Sequence, residues 1–310
     1  MSATVSPEDA PSCPDIHAFV LEHERLPRLG DEVAPWKFRG WLLYHVQIAD
    51  MHPASSGRWG HYFRTIDAGH LLDEEIPPIR FTDGPPPQGQ KMLEHCLNLI
   101  QRRDYSWSDF HHFIEWLGWG LAVSSVRPTL SEETQEALYR SFNLEPLLLH
   151  PHDYLGSMLA DRRSNGWNPH AFFPTPHSVV TLIVEMTFAA GGSQRDAAGE
   201  PQQQGETQVR DPRLSTVMDP AVGTGRMLLH ASNSSYCLYG CDIDPLVVTI
   251  TKINGALYAP WLTFPFSEAV LGVPLPPPPP AALPVSENVR PQLNTPTYRI
   301  DDHGQGLLFC

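Results

Sequence analysis

Two stretches of the chain hold residues whose types and spacing suit a ligand site. In the first, Asp219-Pro220-Ala221-Val222 leads into Gly223-Thr224-Gly225. An apolar run precedes it and a helix-like run follows. A glycine turn between a strand and a helix lets the backbone approach a ligand closely, and the helix N-terminus behind it offers free N–H groups and the positive end of a dipole. In the second, Asp242 sits in Tyr-Gly-Cys-Asp-Ile-Asp, at the end of another apolar run. It lies about 20 residues beyond the turn, where an acid accepts from ribose hydroxyls. Turn and acid together predict a nucleotide-like ligand. The bland alternative is a tight turn with a capping acid and no ligand. The phosphate-cradling Gly-x-x-x-x-Gly-Lys-Ser/Thr loop is absent, and Leu228 occupies the third glycine place of Gly-x-Gly-x-x-Gly, which disfavours ATP and nicotinamide cofactors.

The elements that must hold these residues alternate. The pattern predicts a strand over residues 215–218, a helix over 225–232, a strand over 236–243 and a helix over 245–259. Strand, helix, strand, helix predicts a parallel sheet and an α/β fold class. Upstream, apolar residues at Met92, Leu93, Cys96, Leu97 and Ile100 have helical spacing. Residues 106–125 and 130–142 read as two more helices, with Ser106 or Ser108 capping the first and Ser131 the second. Residues 175–190 read as a helix opened by Thr175 and Pro176. The chain therefore divides into a polar tail (1–15), a mainly helical region (16–164) and an α/β region (165–310). The last contains a polar, Gly- and Gln-rich surface loop (191–212) and a polyproline segment (274–284). A hairpin is expected near the C-terminus, around Asp301-Asp302-His303-Gly304.

Composition narrows the partners. Hydrophobic residues make up 41% and aromatics 10%, enough for a core, but charged residues are only 18% and the formal net charge is −14. That balance disfavours wholesale wrapping of a polyanion, because phosphate contacts need Lys and Arg. Arg102-Arg103 and Arg162-Arg163 remain as local basic pairs. The five cysteines are scattered and contain no Cys-x-x-Cys, which predicts a reducing, cytoplasmic setting without disulfides or structural zinc. Cys237 and Cys241, on one strand face, stand about 13 Å apart, too far to bridge. No run approaches the roughly 18 apolar residues of a membrane helix, and the N-terminus does not read as a signal peptide. His150, His152 and Asp153, or His111 and His112, fall short of the three or four convergent ligands a zinc site needs, so no metal is expected. Trp116 and Trp119, at helical spacing, read as core rather than a base-stacking platform.

At this point the chain resembles a known family. Asp219 to Gly225 is similar to the Asp-Pro-Ala-x-Gly-Thr-Gly signature of adenine-specific DNA methyltransferases, with the closest likeness to modification subunits of type I restriction systems. Residues 152–163 resemble the helix before that family's cofactor region. Residues 168–186 resemble its Phe-x-Thr-Pro segment with the helix after it, and residues 238–248 its second strand and acid. The likeness covers Pro151 to Tyr258. It implies a partial Rossmann-like S-adenosylmethionine-dependent methyltransferase domain after the helical region. It implies S-adenosylmethionine as cofactor, with Phe173 and Thr175 lining the pocket and Asp219, Gly223, Thr224 and Gly225 shaping the loop under the methionine. Asp242 would take the ribose hydroxyls and Ile243 would pack on the adenine. It also implies DNA as partner, a role that the charge does not suggest.

Two departures bear on activity. Val222 stands where the family usually has Cys. The family's catalytic Asp/Asn-Pro-Pro-Tyr/Phe tetrad does not occur in the chain; its nearest echo is Asn294 to Tyr298, with one proline misplaced and an extra residue. The 68 residues after Asp242 are also short for the family's remaining strands. The expectation thus splits in two. One branch is an adenine-specific DNA methyltransferase, alone or completed by a partner subunit. The other is a catalytically inactive relative that binds the cofactor or a partner.

Overall fold

The computed structural model describes residues 34–104, 108–164, 170–190 and 211–274, with positions 16, 18, 19 and 168. The tail at 1–15, most of the loop at 191–212, the polyproline segment beyond Pro274, the C-terminal hairpin, Asn294 and Tyr298 lie outside the described residues.

Helices dominate. They are α1 (Trp41–Asp50), α2 (Arg58–Ala68), α3 (Pro87–Asp104), α4 (Asp109–Gly120), α5 (Glu132–Ser141), α6 (Glu145–Leu149), α7 (Tyr154–Ser164) and α8 (His177–Ala190). Then come β1 (Val217–Asp219), α9 (Arg226–Ala231), β2 (Leu238–Gly240), α10 (Pro245–Tyr258), α11 (Pro260–Thr263) and α12 (Glu268–Leu271). The sequence signals for the long helices locate them closely. Ser131 caps α5, its Oγ accepting the Thr134 amide at 3.3 Å. Ser108 occupies the N-cap position of α4. α8 starts at His177, just after Pro176.

The expected α/β class, a partial Rossmann-like domain, does not hold. Among the described residues, strand is confined to β1 and β2, which pair in parallel as Val217↔Leu238, Met218↔Tyr239 and Asp219↔Gly240. The rest of the ordered secondary structure is helical. The physical reason lies at Pro220: it has no N–H to extend a ladder, so β1 stops at Asp219 after three residues. The longer apolar run around β2 then has only those three residues to pair with. Apolar spacing in the remainder of the described residues is helical, and helices form there. The protein is therefore mainly helical, with one small parallel sheet.

One core runs through both halves. It joins Ile100, Phe113 and Trp116 of the N-terminal helices to Leu228, Ile250 and Trp261 near the sheet. α10 packs on α4 and α11, α9 packs on both strands, and α8 packs on α9. Arg58 of α2 is buried at this junction. Its Nη1 donates to Ser232 Oγ at 2.7 Å and Tyr258 O at 3.0 Å, and its Nε to Pro77 O at 2.8 Å. No helix among the described residues is long and apolar enough to cross a membrane.

Candidate functional site

The site is built where β1 gives way to α9. Asp219 ends the strand, and its Oδ1 accepts the Ala221 amide at 3.1 Å. The Val222 amide then donates to Cys241 O at 2.9 Å, holding the two chain segments together one step past the sheet. Gly223 (φ 54°) and Gly225 (φ 89°) turn the backbone through the left-handed region. At Gly225 a Cβ would also stand 2.7 Å from Thr251 Cγ2 of α10. Glycine is required there by backbone and by packing alike.

Asp242 faces this turn from just beyond the end of β2. Its Oδ2 accepts the Gly223 amide at 2.9 Å and its Oδ1 the Asp244 amide at 3.0 Å. Asp244 caps α10, with Oδ1 on the Leu246 amide at 3.0 Å and Oδ2 on Arg163 Nη2 at 2.6 Å. Burial raises the pKa of Asp219, the Ala221 amide works against that shift, and the Asp242 charge adds to it.

These groups open onto a cleft of about 390 Å³. Phe173, Thr175, Asp219, Gly223, Thr224, Asp242 and Ile243 all line it, although they come from segments far apart in the chain. Phe173 and Ile243 are largely exposed, at 79% and 80%. Gly225 does not line the cleft; it sits behind, as N-cap of α9. The two arginines in the lining are already engaged, Arg163 with Asp244 and Arg226 with Asp153. The open charges are therefore the carboxylates of Asp219 and Asp242.

Behind the cleft lies a network that no sequence motif marks. Asp153 at the start of α7 is fully buried. Its carboxylate accepts from Thr224 Oγ1, from Arg226 Nε at 2.7 Å, from Asn254 Nδ2 at 2.9 Å and from the Gly156 amide at 2.9 Å. Burial acts to raise its pKa, but the Arg226 charge and the bonds from Thr224 and Asn254 outweigh that and hold it below the ordinary carboxylate value. Arg226 continues to Thr175 O at 3.0 Å and Ser157 Oγ at 2.9 Å. The available signal was Asn254, a polar residue on the buried face of α10, which must find partners.

The other residues weighed from sequence take structural places. His152 bonds Thr82 O and Ser157 Oγ, both at 2.8 Å. His112 bonds Thr129 Oγ1 at 3.0 Å. Trp116 is fully buried and Trp119 nearly so. Arg162 forks onto Asp109 at 2.9 and 2.7 Å, so the 162–163 pair is not a free basic patch. Cys237 is buried, and Cys241 Sγ donates to Pro220 O at 3.5 Å.

Comparison with family models, curated proteins and solved structures returns no match.

Proposed function

We propose that the cleft binds S-adenosylmethionine and that the chain is an adenine-specific DNA methyltransferase-like protein whose catalytic half is supplied by a partner subunit. One observation carries this reading. Every residue that the resemblance assigned to the cofactor, Gly225 excepted, lines a single cleft. Its volume falls within the range of small-ligand sites. Its chemistry supports the reading too. The carboxylates of Asp219 and Asp242 disfavour a phosphate and favour a ligand with hydroxyl donors and positive centres, which the ribose, ammonium and sulfonium of S-adenosylmethionine provide. Exposed Phe173 and Ile243 offer apolar surface to a planar base.

The second reading is a catalytically inactive relative that binds the cofactor or a partner. The missing Asp/Asn-Pro-Pro-Tyr/Phe tetrad and the net charge of −14 favour it. Calorimetric titration tests the shared part of both, with S-adenosylmethionine, S-adenosylhomocysteine, ATP and NAD as ligands. Binding of the first two and not the last two is expected. The absence of heat and of any thermal shift at millimolar S-adenosylmethionine would reject the cofactor assignment.

A further inference from the structure

We infer that Asp153, which lies behind the cleft and does not line it, is the positioning residue that joins its separate walls into one ligand-binding shape. The inference rests on the reading of the cleft as a ligand site and adds a residue that reading does not assign.

The cleft is bounded by three segments: the loop carrying Phe173 and Thr175, the turn at Gly223–Arg226, and the start of α10. No strand ladder or continuous helix joins the loop to the turn. Arg226, held by Asp153, does so through polar contacts. Asp153 Oδ2 holds the turn twice, by the Thr224 hydroxyl and by Arg226 Nε. Its Oδ1 holds Asn254 of α10, whose amide also donates to Thr224 O at 2.9 Å. Arg226 then carries the connection outward, because its Nη1 reaches Thr175 O at 3.0 Å. The Phe173–Thr175 loop is thereby tied to the turn through one guanidinium whose charge Asp153 balances.

A carboxylate is needed for this, not merely a polar group. Both oxygens act only as acceptors, and together they meet four donors. Asn is nearly the same shape but presents an N–H₂ group to two of those donors and leaves Arg226 buried without its counter-charge. Gly156 completes the fit, since a Cβ there would collide with the Asp153 carboxylate and the Thr224 hydroxyl.

The test uses the full chain and two readouts. Hydrogen exchange follows residues 172–176 and 222–226, with α4 as internal reference; titration gives the S-adenosylmethionine Kd. In Asp153→Asn both segments should exchange faster together while α4 keeps its protection, and Kd should rise at least about tenfold. Thr224→Val, which loses the hydroxyl, should raise Kd more than Thr224→Ser, which keeps it. Unchanged exchange in either segment, or unchanged affinity in the folded Asp153→Asn protein, overturns the inference. Should Asp153→Asn fail to fold, equal Kd values for the Val and Ser variants overturn it and unequal ones support it. Should the unmodified chain not bind S-adenosylmethionine, the functional reading fails separately and exchange alone decides. Joint loosening of loop and turn then supports the role of Asp153, and loosening of the turn alone overturns it.

Discussion

Asp242 and Gly223 are joined side chain to backbone, the Asp242 carboxylate accepting the Gly223 amide at 2.9 Å. One acid therefore shapes the turn and faces the cleft. Asp242→Ala removes the acceptor for two backbone amides, those of Gly223 and Asp244, as well as the acceptor for ligand hydroxyls. We expect S-adenosylmethionine affinity to fall by about 1.5–3 kcal/mol, the cost of losing hydrogen bonds to a charged group. Titration calorimetry on folded protein checks this, and a loss below about 0.5 kcal/mol would separate Asp242 from the ligand.

Residue type and spacing made the turn and the acid legible, because both are local to a strand–helix junction. Thr175 and Phe173 were legible only through resemblance. The role of Asp153 was hidden: its partners Thr224 and Asn254 lie 71 and 101 positions away, and a buried-face Asn254 signals only that some partner is needed, not which one. The local sequence context of Asp153, with neighbours His150 and His152, points instead to a short metal-ligand run. The helices were readable because their apolar spacing is intrinsic to each segment. The two strands and their parallel pairing follow from the strand–helix–strand–helix order, but the α/β class does not, because a strand exists only with a partner and Pro220 limits how much of β1 can pair. Two short strands do not make an α/β protein, however closely their order imitates one.

Gly225 and Gly69 make a matched pair. Both have positive φ, 89° and 71°, but a Cβ on Gly69 meets nothing within 4 Å while one on Gly225 runs into Thr251. Gly69→Ala should cost only the backbone penalty, about 1–2 kcal/mol. Gly225→Ala should cost that plus about 1–3 kcal/mol of overpacking. Urea unfolding of both variants measures the difference; equal losses would show that α10 yields to the added methyl.

Arg58 is the second polar hub, and its acceptors include no carboxylate. Burial lowers its pKa to about 9, with the charges of Asp50 and Tyr236 acting against that shift. The side chain instead satisfies the carbonyls of Pro77, Ser232 and Tyr258 and lies over the Trp261 ring at 4.9 Å. Arg58→Met keeps much of the apolar stem but strands those acceptors. A loss of about 3–5 kcal/mol is expected in chemical denaturation. A loss under about 1 kcal/mol would show that the two halves of the core hold together without it.

His177 and His230 form a buried pair, Nδ1 of one 2.8 Å from Nε2 of the other. One ring must donate and the other accept, so the doubly protonated pair cannot keep the bond. Burial, reinforced by Arg226, lowers the pKa of His177 to about 3 and of His230 to about 4. Both are depressed relative to the unfolded value of 6.5, so below pH 6.5 the unfolded chain binds more protons. The stability of the pair is complete above that pH and is lost as pH falls toward 4. For His230 alone the loss reaches roughly 3 kcal/mol at pH 4. Urea unfolding between pH 7 and 4.5 should show His230→Leu with a slope shallower than the unmodified protein by up to about 1.4 kcal/mol per pH unit. Parallel slopes would mean that His230 takes up its proton without unfolding.

The purified chain by itself should not methylate DNA. Transfer to the exocyclic amine of adenine needs that nitrogen held by oxygen acceptors beside the sulfonium carbon, and the flipped base must be gripped after unstacking, which costs a few kcal/mol. The chain has no Asp/Asn-Pro-Pro-Tyr/Phe tetrad to do either. Each missing aligned acceptor is worth roughly 3–4 kcal/mol, on the order of a hundred- to a thousandfold in rate. A net charge of −14 adds repulsion from the phosphate backbone. The check is transfer of labelled methyl groups to unmethylated genomic DNA at low salt, with and without candidate partner subunits. Activity only with a partner supports the two-chain methyltransferase, and silence in both conditions supports the inactive relative. Turnover by the lone chain that disappears in Asn294→Ala would overturn the prediction and make Asn294 to Tyr298 a degenerate form of the catalytic motif.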